Sequence, residues 1–168
     1  DKSVTYIYDI FSKKLTEVAP FTVDLLLPSG AENLNYVLYT DESPYKMQRE
    51  WLDRLPFDIY SVNVHTGAKR LIGRSYRTAP KWSVNGKWAV MYDPIAQVWN
   101  KFDGATGKVV NISDAIGYPM FVESYDKPAP APAYGIAGWT ADGNNVFLYD
   151  AYDWWKIDLT GERQPECL

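Results

Sequence analysis

The chain has 168 residues, 46% of them hydrophobic and 15% aromatic, and carries a formal net charge of -4. That apolar content supports a packed core and excludes a disordered chain, which lacks the apolar surface to offset its ordering entropy. The acidic balance argues against a nucleic-acid surface, and no stretch reaches the roughly 18 apolar residues of a membrane-spanning helix.

Thirteen Tyr and seven Trp favour strands, because flat rings pack well on a pleated, half-buried surface. The chain opens at Asp1 with no signal-peptide pattern, as expected of a processed or excised piece. Residues 4–19 read as half of a four-stranded unit: an alternating run, Thr5-Tyr6-Ile7-Tyr8-Asp9, turns at Ser12-Lys13 and returns through Leu15. A full unit spans about 22–73, and its last hairpin turns at His65-Thr66-Gly67. An insertion at 41–57 interrupts it. Ser43 suits an N-cap and Pro44 the first helical position, which predicts a helix with Trp51, Leu52 and Leu55 on one apolar face.

A second full unit spans about 78–112, and a last one, 135–168, is expected to stop inside its fourth strand. Between them, residues 113–134 hold Pro119, Pro128, Pro130 and Pro132. Proline deletes ladder donors, so this segment is expected to be an extended loop. Loops of this length are often functional, although a plain crossover between units would look the same.

The strongest signal is internal repetition. Trp82, Gly86 and Asp93 recur as Trp139, Gly143 and Asp150 at one constant offset of 57. Each block reads as a strand, an Asn-Gly or Asp-Gly turn, and a second strand, a strong hairpin pattern. Gly86 and Gly143 are expected at positive φ. A second element, a strand ending near a Thr-Gly turn, recurs around Gly67, Gly107 and Gly161, with Lys13 in the glycine place of the first copy. Alternation of these two hairpins gives four strands per unit, the pattern of a propeller blade. The expected fold is all-β: antiparallel β-propeller blades, about three and a half, in a single partial domain over 1–168 that belongs to a larger seven- or eight-bladed propeller. Trp82 and Trp139 are then expected in equivalent, largely buried sites, where truncation to Ala costs about 3–5 kcal/mol.

Chemistry is sparse. No Gly-x-Ser-x-Gly elbow is present to display a nucleophilic serine. His65 is the only histidine and sits at a turn; Cys167 is the only cysteine and has no basic neighbour to lower its pKa. Together they do not make a Cys/His metal site. Glu42, Glu50, Asp53, Asp93, Glu123, Asp126, Asp150 and Asp153 would serve a glycosidase only if two carboxylates met in a cleft roughly 5 to 9.5 Å apart. Asp93 and Asp150 repeat, however, as do Asp103 and Asp158, and a repeated residue suits a repeated structural task such as capping a turn. Trp154 and Trp155 are adjacent, so in a strand they point to opposite faces and one is expected to be exposed. Asn111-Ile112-Ser113 matches a glycosylation sequon, which matters only in a eukaryotic secretory protein. No catalytic residue, metal ligand or cofactor site is assigned.

One block is more distinctive. Tyr134-Gly135-Ile136-Ala137-Gly138-Trp139-Thr140, with Asp142-Gly143 and then Leu148-Tyr149-Asp150, Tyr152-Asp153 and Trp155, resembles the propeller of bacterial serine peptidases of the prolyl oligopeptidase family. The Pro-rich approach to it is similar, as is Glu50-Trp51-Leu52-Asp53 leading through Pro56 to Asp58-Ile59-Tyr60. The likeness covers most of residues 40–160. It implies a propeller that gates or binds peptide substrate for a C-terminal α/β-hydrolase domain, in the periplasm or outside the cell. The hydrolase elements are not matched in this chain, and no Glu-Glu pair answers to the amino-terminus grip of the dipeptidyl peptidase IV branch. The Trp-Ser-x-x-Gly-Lys and Asp-x-x-Thr-Gly elements alone are shared with TolB-type propellers, which keeps a stand-alone binding or scaffold module as the alternative. An open run of blades also leaves apolar faces at its ends, so self-association through them is expected.

Overall fold

The computed structural model describes residues 3–20, 23–30, 35–52 and 54–168. The chain divides into two compact units, Asp1–Arg77 and Thr78–Leu168. Among the described residues the architecture is all-β, with one two-stranded hairpin and three four-stranded antiparallel sheets of propeller-blade type. Every sheet is a meander, with strands consecutive in sequence as antiparallel neighbours.

The first unit holds the hairpin, β1 (Thr5–Asp9) with β2 (Lys14–Ala19). It also holds the first sheet: β3 (Leu25–Pro28), β4 (Tyr36–Asp41), β5 (Phe57–Asn63) and β6 (Lys69–Tyr76). Alternation along these strands sends Ile7 and Val18 of the hairpin against Val37, Tyr39, Val62 and Val64 of the sheet. Tyr39 and Tyr60 face each other across the ladder and stack, centroids 5.1 Å apart. Lys13 stands at φ 53 where Gly67 and Gly107 stand at 76 and 69 in the corresponding turns. A side chain in that left-handed region is disfavoured.

The insertion differs from the sequence expectation. Its helix is a short 3-10 turn, Ser43–Gln48, with Glu42 and not Ser43 in the cap position and Pro44 inside the first turn. Trp51 is 78% exposed while Leu55 is 8% exposed, so the two share no apolar face. The segment is fastened by polar bonds instead. The Tyr45 hydroxyl donates to Asp58 Oδ1 at 2.5 Å, and the same oxygen accepts the Ser75 amide at 3.1 Å.

The second unit holds two sheets. The second sheet runs β7 (Lys81–Trp82), β8 (Trp88–Asp93), β9 (Val98–Asp103) and β10 (Val109–Asn111). The third runs β11 (Ile136–Trp139), β12 (Asn145–Tyr149), β13 (Trp154–Asp158) and β14 (Glu166–Cys167). One core joins them: Val90, Tyr92 and Trp99 of the second sheet meet Val146, Leu148, Ile157 and Leu159 of the third. Ile116 and Met120 of the Pro-rich loop complete it.

The repeat seen in the sequence is a repeat of hydrogen bonds. Ser83 N donates to Trp88 O and Gly86 N to Ser83 O; Thr140 N donates to Asn145 O and Gly143 N to Thr140 O. Both turn glycines have positive φ, 66 for Gly86 and 69 for Gly143. Trp82 pairs with Ala89 and Trp139 with Val146, so the two tryptophans are equivalent in register. Both are mostly buried, as expected: Trp139 packs against the core of the unit and Trp82 lies edge-on to the buried Phe102. They stop short of full burial because β7 and β11 are terminal strands of their sheets.

The two turns also bind each other. Asn85 Nδ2 donates to Asp142 O at 2.8 Å and to Asn144 Oδ1 at 3.3 Å. A Cβ on Gly143 would lie 2.7 Å from Asn85 Cγ and 2.8 Å from its amide nitrogen. The nearest atom to a Cβ on Gly67 is 3.4 Å away. Gly67→Ala is therefore expected to cost only the left-handed conformation, about 1–2 kcal/mol. Gly143→Ala is expected to cost more, since the Asn85 contact must also open. Urea denaturation of the two variants checks the order, and equal losses would contradict the close approach.

Candidate functional site

The repeated carboxylates are occupied by the backbone. Asp93 Oδ1 accepts the amides of Ile95 and Ala96 at 2.9 and 3.0 Å, and Asp150 Oδ1 those of Tyr152 and Asp153 at 2.7 and 2.6 Å. At the following turns, Asp103 Oδ1 accepts the amides of Ala105 and Thr106, and Asn63 Oδ1 those of His65 and Thr66. Asp9 Oδ1 accepts the amides of Phe11 and Ser12 in the same manner, while Asp158 accepts the Thr160 amide on Oδ1 and those of Glu162 and Arg163 on Oδ2. A short side chain with an acceptor oxygen stabilises a turn this way, which is why Asp or Asn recurs at each site.

Other acidic and nucleophilic candidates are dispersed. Glu50, Glu123, Asp126 and Asp153 are exposed, and Asp53 lies outside the described residues. Glu42 lies 3.8 Å from Arg49 in a surface pair, the kind that contributes little. His65 is exposed at its turn, with Nε2 3.2 Å from Asn35 Oδ1. Cys167 lies exposed on β14, where desolvation and the Asp153 and Asp150 carboxylates hold its thiol above the ordinary value. Among the described residues no group of three or more His, Cys, Asp or Glu is placed to hold a metal ion.

Two surfaces of the second unit remain, one at each end of β13. The first is aromatic. Trp154 is 51% exposed while Trp155 is half-buried against the core, so the adjacent pair does point to opposite faces. The Trp155 indole N–H donates to Asp150 Oδ2 at 2.7 Å, and the Tyr118 ring lies 5.8 Å from the Trp155 ring. Tyr118 and Tyr152 are exposed beside them. The Pro-rich loop that carries Tyr118 is held down by its buried Ile116 and Met120, by the Val122 amide to Pro132 O, and by the Phe121 to Ala133 bridge. The Tyr92 hydroxyl, pushed up to about 12 by burial and by Asp93, stays protonated and donates to Ala131 O. On the Trp155 face the exposed Tyr118 ring is thus held on a fixed frame, suited to stacking on a prolyl or sugar ring, while Trp154 stands exposed on the opposite face beside Tyr149.

The second surface is a cavity of about 240 Å³ lined by Lys101, Asn111, Ile112, Asp114, Asp158 and Arg163, among others. Lys101 is buried and donates to Leu159 O. Burial lowers its pKa, and the nearby Asp103 and Asp158 carboxylates oppose that shift. Sequence reading did not single out Lys101, because a lysine in an alternating strand ordinarily marks a solvent face. The usable signal was the recurrence of lysine at 156 in the equivalent strand.

No protein-family model and no curated protein matches the chain. Among solved structures, TolB from Acinetobacter baumannii is similar to it with a TM-score of 0.47 and 13% sequence identity, over 99% of this chain. The chain spans 38% of that structure's length. No helix among the described residues is long and apolar enough to cross a membrane.

Burial works against the ionised form of Asp150, but the Trp155 indole and the Asp153 and Tyr152 amides outweigh it and hold its pKa below the ordinary 3.8. A carboxyl with a depressed folded pKa contributes stability above its unfolded pKa and loses it as pH falls through the folded value. The urea midpoint is therefore expected to fall as pH drops below about 3.8. In Trp155→Phe, which removes the indole donor, the Asp150 pKa rises and the acid limb becomes shallower. Identical acid limbs in the two proteins would contradict this role for the indole.

Proposed function

We propose that this chain is a non-catalytic propeller module of a serine peptidase of the prolyl oligopeptidase family. On this reading it binds or gates peptide substrate for an α/β-hydrolase domain that lies outside these residues, in the periplasm or outside the cell. The observation that carries the reading is where the distinctive block lies. Residues 134–155, which hold the family-like pattern, also supply Trp155, the ring on which the exposed Tyr118 packs. Tyr149 N donates to Gly135 O, closing the block on itself, and Trp155 is fixed on Asp150. An exposed aromatic ring held in place suits the ring-bearing side chain of a proline-containing peptide.

Two measurements test it. The chain alone is expected to leave proline-containing peptides uncleaved while binding them, seen as a change in tryptophan fluorescence. Tyr118→Ala is expected to weaken that binding about fivefold, the equivalent of roughly 1 kcal/mol of lost ring contact. Turnover that disappears on serine modification would overturn the non-catalytic assignment. The parent reading frame is the second test. A continuation carrying Gly-x-Ser-x-Gly supports the peptidase reading, and a frame without it favours a stand-alone binding or scaffold module.

A further inference from the structure

A bond between the second and third sheets hangs on a labile group. Asn85 is followed by Gly86, the only Asn-Gly pair in the chain. Asparagine is thermolabile, and most so before glycine, where no Cβ shields the following amide nitrogen. Deamidation there needs only water. The Gly86 nitrogen attacks Asn85 Cγ and gives up its proton, and Nδ2 leaves as ammonia. Water then opens the succinimide at either carbonyl, to aspartate or isoaspartate.

The Asn85 amide works in two directions. Within its own turn, Oδ1 accepts the Ser83 hydroxyl at 2.7 Å and the Lys87 amide at 3.0 Å. Toward the third sheet, Nδ2 donates to Asp142 O at 2.8 Å and to Asn144 Oδ1 at 3.3 Å. Asp142 holds the equivalent place in the third sheet. Its Oδ1 accepts the Thr140 hydroxyl at 2.5 Å and the Asn144 amide at 3.0 Å. A carboxylate therefore serves this turn as well as an amide does, but it has no hydrogen to give to the neighbouring sheet. The nitrogen that deamidation removes is the one that makes the contact. The new oxygen would face two acceptors, and Asn144 could answer it only by giving up the bond from its own Nδ2 to Asp142 Oδ2 at 3.1 Å.

The same contacts restrain the reaction in the folded chain. The Gly86 N–H is held by Ser83 O at 2.9 Å, and both ends of the Asn85 amide are fixed. The turn must open before the nitrogen reaches Cγ. We propose that Asn85 is a modification site that acts as a one-way latch. While the two sheets are clasped the amide is protected. Each opening of the turn exposes it to deamidation, after which the sheets no longer rejoin through this bond. This holds whether or not the chain belongs to a peptidase.

Incubation of the intact chain at mildly alkaline pH, followed by peptide mass mapping, tests the proposal. Conversion at Asn85 is expected to be about tenfold or more slower in the folded chain than in urea. Opening the turn breaks at least the Gly86 bond and one Asn85 bond, each worth a factor of about five. Asn144→Ala removes one acceptor and is expected to speed conversion in the folded chain while leaving the rate in urea unchanged. Asn85→Asp, the product itself, is expected to keep the parent's circular dichroism and to unfold at lower urea. Conversion as fast folded as in urea, or no faster in folded Asn144→Ala, would overturn the protection. An Asn85→Asp midpoint equal to the parent's would overturn the latch.

Discussion

The second unit depends on one contact, the covering of the Val90, Tyr92, Trp99 and Lys101 face by the next sheet. A four-stranded meander has two faces, and here both faces of β8 are apolar: Ala89, Val90, Met91 and Tyr92 are all buried. Such a sheet is stable only when it is covered on both sides. The buried Lys101 sharpens the requirement. A desolvated ammonium is costly unless hydrogen-bonded, and its recorded acceptor is the Leu159 carbonyl of the third sheet. The two sheets are thus coupled by apolar area and by a polar bond that neither satisfies alone.

The turns set the register that makes this contact possible. Asn85 spans from one hairpin turn to the next, and the Asp or Asn caps fix where each strand ends. The second hairpin of the third sheet is two residues shorter, since Tyr92 pairs with Trp99 but Tyr149 with Trp154. Even so, Asp93 and Asp150 each hold the amides two and three residues on. The cap, and not the loop length, is the invariant feature. This is also why the repeated aspartates, Asp93, Asp103, Asp150 and Asp158, are engaged in holding the backbone.

The hairpins were legible in the sequence because their turns need residues with unusual backbone freedom, at Gly86 and Gly143 above all. The Asp caps were legible through their repetition. Three features were not. The insertion has a proline and a cap-like serine but too little apolar periodicity to build more than a 3-10 turn, so Trp51 stays in solvent. That Trp82 and Trp139 stop short of full burial follows from strand order within each sheet, which leaves them at an edge and is a tertiary fact. Lys101 looks like a surface residue by type and is buried by a sheet whose closest residues lie more than fifty positions downstream. The aromatic surface was half legible: the exposure of one of Trp154 and Trp155 follows from alternation, while the docking of Tyr118 on Trp155 depends on how the Pro-rich loop folds back.

Native-state amide hydrogen exchange tests the coupling of the two sheets most directly. If the covered face is the structural foundation of this unit, the amides of β8, β9, β12 and β13 open together with one free energy, as a single cooperative unit. Lys101→Ala would lower the protection of both sheets equally. Separate opening of β12 and β13 at a lower free energy, with β8 and β9 still protected, would show that the sheets stand independently and contradict the account.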